Sequence, residues 1–305
     1  MQVAVFGGTG FVGSYLIDAL LASNQTPCVL VRPGSEDKLQ QAERCRAIPG
    51  DLNSMSAIDA TLEGCDAVIY SVGILREFPN QGITFDDVQY QAVERVADAA
   101  RAKRISRFLL MSANGVKSPG TPYQETKYRA EEYVRKSFDV TVFRPSVIFG
   151  DPHGRMEIAT QLLSDMIAPP LPAVGFFRGW NPTRGAVLMS PVHVEDVALA
   201  FVTALDDPST VGRTYELGGP EALTWSEMVH RVARAVGRDK WILPMPLGLM
   251  RLAAALLDWL PLFPVTRDQL TMLAEGNTAD PTALQKLIGR PPLEFVPQNL
   301  KYLSG

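Results

Sequence analysis

Apolar positions along this chain fall into short dense runs separated by stretches of helical period. Met1 to Phe6 is apolar apart from Gln2 and stops at Gly7; Val12, Leu16, Ala19 and Leu20 then recur at three and four residues. That spacing predicts a helix packed on a sheet. Pro27 to Val31 is a second run, ending at Arg32, and Ala47-Ile48 ahead of Gly50-Asp51-Leu52 is a third. Ala67 to Tyr70 is a fourth, closing in the small residues Ser71, Val72 and Gly73. Val88, Ala92, Val96 and Ala99 share one face of a predicted helix from Phe85 to Ala102, and Phe108 to Ala113 is a fifth run. Runs without polar alternation predict strands buried on both faces. Their alternation with helices predicts right-handed βαβ units and a doubly wound parallel sheet.

Further along, Thr121-Pro122-Tyr123-Gln124 predicts a helix start, with Thr121 and Gln124 as a capping box and Pro122 at the first helical position. Thr224 and Glu227 form a second box ahead of a helix from Trp225 to Val236, and Ala198 to Leu205 reads as another helix. Between Asp151 and Gly185 the pattern loosens into prolines, aromatics and arginines, among them Phe176, Phe177, Arg178 and Trp180. From Trp241 to Val265 leucines dominate, but Arg251, Asp258 and four prolines interrupt them. The segment is too broken to span a bilayer. It reads either as a buried amphipathic helix closing a second lobe or as an apolar lip for a membrane surface or hydrophobic ligand. The expected organisation is a nucleotide-binding domain from 1–150 plus about 186–218, and a smaller C-terminal substrate or partner lobe from about 151–185 and 219–305.

Composition narrows the classes. The 305 residues carry a net charge of −4 with no basic cluster, which argues against nucleic acid as a partner. The three cysteines, Cys28, Cys45 and Cys65, lack disulfide parity and metal-ligand spacing, and His153, His193 and His230 show no ligand spacing either, so no metal is expected. The chain enters its first strand without a basic leader, and a cytoplasmic location is the expectation.

Candidate chemistry sits at two places. The glycines can be read as Gly8-x-Gly10-x-x-Gly13 or as Gly7-x-x-Gly10-x-x-Gly13. Either places a tight turn between a strand and a helix start, where free N–H groups and the positive dipole end meet a pyrophosphate. This is a Rossmann-type arrangement, with Gly7, Thr9, Gly10, Phe11, Val12 and Gly13 as its cofactor-facing residues. Arg32, about 20 residues beyond, stands where an acid would hold the 2′-hydroxyl of NAD, and suits the 2′-phosphate of NADP. Asp51 with Leu52 ends the third run near the adenine, or else Asp51 caps the next helix. Ser71, Val72 and Gly73 form an edge a cofactor can lie against. At the second place, Tyr123 and Lys127 are four residues apart and share a helix face. An ammonium beside a phenol is expected to draw the tyrosine down from about 10 toward the range of a general acid/base.

These segments together resemble the atypical and extended short-chain dehydrogenase/reductases of the NAD-dependent epimerase/dehydratase superfamily, over essentially the whole chain. Phe143-Arg144-Pro145-Ser146-Val147-Ile148-Phe149-Gly150, Ser190 to Val197 and Thr214 to Pro220 carry the resemblance onward. It is strongest to the branch of NDUFA9-like subunits of respiratory complex I and NmrA-like proteins. The resemblance implies that Pro145 and Val147 lie near the nicotinamide, with Tyr123 as acid/base and Lys127 as its partner. Extended members carry Ser or Thr where Ala113 stands here; Ser112, a further candidate, is one residue early and on a strand would face the other way, which leaves the catalytic set partial. The usual asparagine of the preceding helix is replaced in the region of Gln89 or Gln91. The implied function is an NADP(H)-preferring oxidoreductase acting on a small or hydrophobic carbonyl, alcohol or quinone. The alternatives are a non-catalytic NADP(H)-binding assembly or sensor protein of a membrane electron-transfer complex, and a nucleotide-sugar epimerase or dehydratase. The subunit branch further implies a peripheral seat at the inner membrane face or a respiratory-complex contact through residues 241–265.

Overall fold

Val3, Ala4, Val5 and Phe6 have no exposed surface, so the strand β1 (Gln2–Phe6) is covered on both faces, as its unbroken apolar run requires. The computed structural model describes residues 1–179, 181–250 and 267–304. β1 pairs in parallel with β2 (Thr26–Val31) on one side and β4 (Ala67–Tyr70) on the other. β3 (Arg46–Pro49) extends the sheet beyond β2; β5 (Arg107–Met111) and β6 (Asp139–Pro145) extend it beyond β4. A later strand at Thr214–Leu217 adds to β6, giving seven strands in the order β3-β2-β1-β4-β5-β6 and then this last strand. The direction of winding reverses between β1 and β4. In such sheets the crevice at the carboxyl ends of those strands is the ligand position.

Two sets of helices cover this sheet. α1 (Phe11–Ala22) follows β1; α2 (Met55–Leu62), α3 (Ala92–Ala102) and α4 (Pro122–Arg135) follow β3, β4 and β5. Phe6, Tyr70, Phe108 and Val142 pack with Ile58 and Leu62 of α2, Val93 and Val96 of α3, and Ala130 and Val134 of α4. Phe143, next to Val142 and so on the opposite face, stacks on Phe201 with ring centroids 4.2 Å apart. Phe201 belongs to a helix at Val194–Asp206 that packs against α1. With residues Ala283–Arg290, these elements form one compact unit, Met1–Pro145 plus Val194–Glu216.

One departure from the periodicity lies ahead of α3. The continuous helix predicted from Phe85 begins as a π-helical turn over Asp86–Gln91. The wider turn carries Gln89 inward, 2% exposed, while Gln91 stays exposed and donates to Asp86 Oδ2. Apolar spacing cannot reveal one extra residue per turn when Val88 and Ala92 still fall on the same face.

The second unit comprises Ser146–His193, Leu217–Thr282 and Pro291–Gly305. Its core gathers Phe149, Leu162, Met228, Val232, Leu270 and Leu300. The helix Trp225–Ala235 has the predicted capping box of Thr224 and Glu227. A parallel ribbon joins Ala173–Phe177 to Ile242–Pro246. Of the leucine-rich segment, Ile242–Pro246 is a strand and residues 247–250 are helical; residues 251–266 lie outside the described residues. Trp241 is 83% and Leu243 52% exposed. No described helix is long and apolar enough to cross a membrane.

Candidate functional site

The glycine turn after β1 resolves which of the two spacings matters. Gly7 has φ +97°, and a Cβ there would stand 3.0 Å from the Ser71 carbonyl carbon. Gly13 is tighter still, since a Cβ would lie 2.0 Å from Gly7 O and 2.7 Å from the Gly8 Cα. At Gly8 a Cβ would lie 2.6 Å from Cγ1 of the buried Val29, a clash with packed side chains rather than with backbone. Backbone closure therefore demands Gly7 and Gly13, while Gly10, whose Cβ would meet only Gly7 O at 3.2 Å, donates its N–H to that oxygen at 3.0 Å. Gly10 is exposed and stands at the N-cap of α1 without a side-chain cap, and the first turn of α1 holds no acid. Thr9, Phe11 and Val12 flank it, each partly exposed. A bare, uncompensated helix start with free backbone approach suits an anion.

Around this turn lie the ends of the neighbouring strands. Ser71 donates from both its N–H, at 2.9 Å, and its hydroxyl, at 3.1 Å, to Phe6 O, fixing the end of β4 against that of β1. Arg32 is exposed just beyond β2, its carbonyl accepting from Ser35 N–H at 2.9 Å across the Pro33-Gly34 turn. Gly50 N–H donates to Val31 O at 2.9 Å, so Asp51 leaves β3 beside Arg32. Asp51 is not a helix cap. Its carboxylate accepts from Asn53 and Ser54 N–H in a local turn, while Ser54 caps α2 through Ala57 N–H. Ser54 stands directly before the first helical residue, where a cap acts, and Asp51 is three residues too early. Leu52 is partly buried, and its carbonyl accepts from Arg95 Nε at 2.9 Å.

On α4 the capping box of Thr121 and Gln124 is complete, and it starts the helix so that Tyr123, Thr126 and Lys127 all face inward. Lys127 is 6% exposed; its ammonium donates to Met111 O at 3.2 Å and stands 3.6 Å from where a Gly73 Cβ would be. That nitrogen is 5.7 Å from the centre of the Tyr123 ring. Tyr123, 9% exposed, meets Phe85 edge-on at 5.6 Å. Thr126 between them donates to Gln89 Oε1 at 3.2 Å and Pro122 O at 2.8 Å, and Gln89 Nε2 donates to Ile74 O at 2.7 Å. Of the two glutamines, Gln89 is the one turned toward Thr126, while Gln91 stays exposed. Ser112, next to Met111, is 4% exposed, and its hydroxyl has no partner among the described residues. Ala113, one residue on, offers no hydroxyl.

The electrostatics differ from the expectation. Burial pushes the Tyr123 phenol above its usual range, and burial brings Lys127 down to about 8. Desolvation of both groups outweighs the attraction between ammonium and phenolate, because a dry site disfavours each charged form separately. The nearest counter-charge to Lys127 is Glu131, which raises it. Glu131 is 1% exposed and held by Arg144 through Nε at 2.9 Å and Nη2 at 2.7 Å. Sequence reading missed this pair, although the spacing Lys127-x-x-x-Glu131 on one helix face was a signal for it.

Pro145 ends β6, buried, its carbonyl accepting from Asn114 N–H at 3.0 Å. Val147 belongs to the second unit, where its carbonyl accepts from Val192 N–H at 3.0 Å. No group of three or more His, Cys, Asp or Glu capable of holding a metal occurs among the described residues.

A bare glycine turn at the switch point of a seven-stranded parallel sheet, with a buried lysine, tyrosine and unpartnered serine hydroxyl on and beside the next strands, defines a dinucleotide-binding protein of the doubly wound class. A sequence model of the NAD(P)H-binding family matches residues 7–166, and the chain belongs to that family. It is 26% identical to the mitochondrial NADH-ubiquinone oxidoreductase 40 kDa subunit of Neurospora crassa, over 99% of this chain and 78% of that protein. It is 27% identical to a ceramide reductase of Caulobacter vibrioides, over 84% of this chain and 77% of that protein. The fold is shared with UDP-glucose 4-epimerase of Bifidobacterium longum, solved with NAD+ and UDP, at a TM-score of 0.76 and 15% identity, covering 100% of this chain and 97% of that one.

Proposed function

We propose that the chain is an NADP(H)-dependent oxidoreductase of the atypical short-chain type, reducing or oxidising a small or hydrophobic carbonyl, alcohol or quinone. The observation that carries this reading is the buried pair Tyr123 and Lys127 on one face of α4, with the Lys127 ammonium at Met111 O and beside Gly73, in the unit that holds the glycine turn; Ser112, next to Met111, adds a buried hydroxyl without a partner among the described residues. A buried hydroxyl without a partner is disfavoured unless a ligand atom completes it. The residues present in the first unit fit a dinucleotide: Gly7, Thr9, Gly10, Phe11, Val12 and Gly13 for the pyrophosphate, Arg32 for a 2′-phosphate, Asp51 and Leu52 toward the adenine, and Ser71, Val72, Gly73, Lys127 and Pro145 toward the nicotinamide half. When bound, the nicotinamide supplies hydride transfer.

The chain's own groups handle the proton. Tyr123, held protonated by burial, donates from its phenol oxygen to the substrate oxygen. Lys127, charged below about pH 8, offsets the negative charge that develops there and donates to the nicotinamide ribose. Ser112 donates to the same substrate oxygen or to the carboxamide. Incubation with NADPH and a panel of aldehydes, ketones and quinones, with wild type beside Tyr123→Phe, tests the assignment. Turnover that survives the substitution unchanged removes Tyr123 from the chemistry.

A second reading has its own support. Ala113 in place of a hydroxyl residue, and a phenol shifted up rather than down, favour a protein that binds NADP(H) without turning it over. The Neurospora relative is by name a subunit of a mitochondrial NADH-ubiquinone oxidoreductase. In this reading the exposed Trp241 and Leu243, with residues 251–265, meet a membrane surface or a partner subunit. Retention of NADPH without oxidation across the whole panel selects it.

A further inference from the structure

Between β5 and α4 the chain passes through Ser112-Ala113-Asn114-Gly115-Val116, the one place in the sequence where an asparagine precedes a glycine. The backbone on both sides of that peptide bond is pinned. Asn114 N–H donates to Pro145 O at 3.0 Å, and Gly115 O accepts from Gln124 Nε2 at 2.9 Å. Between these two anchors the Gly115 N–H turns back on the preceding side chain and donates to Asn114 Oδ1 at 2.9 Å. Gly115 has φ +77° and is exposed, and Asn114 is partly exposed, so water reaches both. Only a residue without Cβ holds that φ at no cost and leaves its nitrogen open to approach.

We propose that Asn114 and Gly115 form a self-modifying site, at which Asn114 of the folded protein deamidates through a cyclic imide to aspartate and isoaspartate, with water as the co-reactant. The Gly115 nitrogen attacks Asn114 Cγ as its proton passes to water. The Cγ–Nδ2 bond breaks, the side-chain nitrogen leaves as ammonia, and a five-membered imide closes. Water then adds to one of the two imide carbonyls and opens its bond to nitrogen. Opening at Cγ gives aspartate; opening at the main-chain carbonyl gives isoaspartate, in which the chain runs through the side chain. No electrons are gained or lost. The loop serves the first step. A C=O bond is about 1.2 Å, so Cγ lies within about 4 Å of the Gly115 nitrogen. Rotation about Cβ–Cγ turns the face of the carboxamide toward that nitrogen without changing the distance. An unfolded chain spreads Asn114 over three χ1 wells and at least two ψ regions, so the pinned loop raises the fraction poised to react by about five- to ten-fold. Isoaspartate also adds a main-chain carbon between the anchor at Pro145 and the one at Gln124. Gln124 closes the capping box of α4, its Oε1 accepting from Thr121 N–H at 2.9 Å, so the modification acts on the start of the helix that carries Tyr123 and Lys127.

The test holds the full chain in warm neutral buffer, folded and in parallel in urea, and follows it by peptide mapping with fragmentation that tells isoaspartate from aspartate. Expected is the mass gain of NH2 replaced by OH at Asn114, isoaspartate together with aspartate there, and a folded rate about five- to ten-fold above the rate in urea. Gln124→Met, which frees the Gly115 carbonyl, should bring the folded rate down toward the urea rate. The isoaspartyl fraction, separated by ion exchange, should melt about 1 to 2 °C below unmodified protein, the effect of a weakened helix cap; equal melting overturns the link to α4. A folded rate no greater than that in urea, aspartate without isoaspartate, or earlier conversion at Asn24, Asn53 or Asn80 overturns the proposal, and none of these three results depends on a variant folding.

Discussion

Gly10→Ala and Gly13→Ala separate what the turn does for the ligand from what it does for the fold. At Gly10 the backbone is ordinary, with φ −80° and ψ 176°, and an added Cβ would lie 3.2 Å from Gly7 O, its only near contact. The neighbour gives by a few tenths of an ångström. Alanine is a poor N-cap, so the fold loses about 0.5 to 1 kcal/mol, or about 1 to 2 °C in Tm for a chain of this size. The methyl group, however, stands in front of the bare N–H groups of α1. Holding a pyrophosphate away from them forfeits one charge-assisted hydrogen bond, about 1.5 to 3 kcal/mol, and weakens NADPH by about ten- to a hundred-fold. At Gly13 the Cβ would collide with backbone at 2.0 Å and 2.7 Å, which no side-chain rotation relieves. That substitution destabilises by about 3 kcal/mol or more, lowers Tm by about 6 °C or more, and loses nucleotide as a consequence of the displaced helix. NADPH fluorescence titrations beside thermal melts read both effects. Wild-type NADPH affinity in Gly10→Ala, or a Tm for Gly13→Ala within a degree or so of wild type, refutes the steric reasoning.

Other expectations follow from the same geometry. Arg32→Ala should weaken NADPH by about ten-fold and leave NADH unchanged, and raised salt should narrow the wild-type preference because Arg32 is exposed; equal wild-type affinities for the two nucleotides contradict the assignment. Lys127 lies at about 8 in the folded protein against an ordinary 10.5, so the unfolded chain binds the extra proton between those values and stability rises with pH across that window. The Tm of wild type should therefore climb relative to that of Lys127→Met between those two values, and a constant difference argues against a desolvated ammonium. Arg144→Leu leaves the buried Glu131 carboxylate only Arg135 Nη2, at 3.4 Å, and should cost up to about 3 kcal/mol in urea unfolding, with much of the loss recovered when Glu131→Leu is added; additive losses contradict the pairing.

The parallel sheet was legible because its strands are buried on both faces and so carry no polar alternation, as in Val3 to Phe6. Helix starts were legible where the cap is local, as at Thr121 with Gln124. The sign of the Tyr123 shift was not, since desolvation by Phe85 and the surrounding core is a tertiary effect that the spacing Tyr123-x-x-x-Lys127 does not encode. Nor was the choice among glycines: Gly7, Gly8 and Gly13 look alike in sequence, and only the atoms facing each missing Cβ distinguish them. Asp51 misled as a cap because Asp and Ser are both good N-caps, and the chain used Ser54.

The account rests most heavily on Tyr123 as the proton donor beside a bound NADP(H). Single-turnover mixing of NADPH-loaded wild type and Tyr123→Phe with whichever carbonyl or quinone the wild type accepts, followed by loss of NADPH fluorescence, tests it directly. The account predicts that the variant binds NADPH within about two-fold of wild type, as its ring and its packing on Phe85 are kept, and oxidises it at least about a hundred-fold more slowly. Oxidation by the variant at the wild-type rate contradicts it.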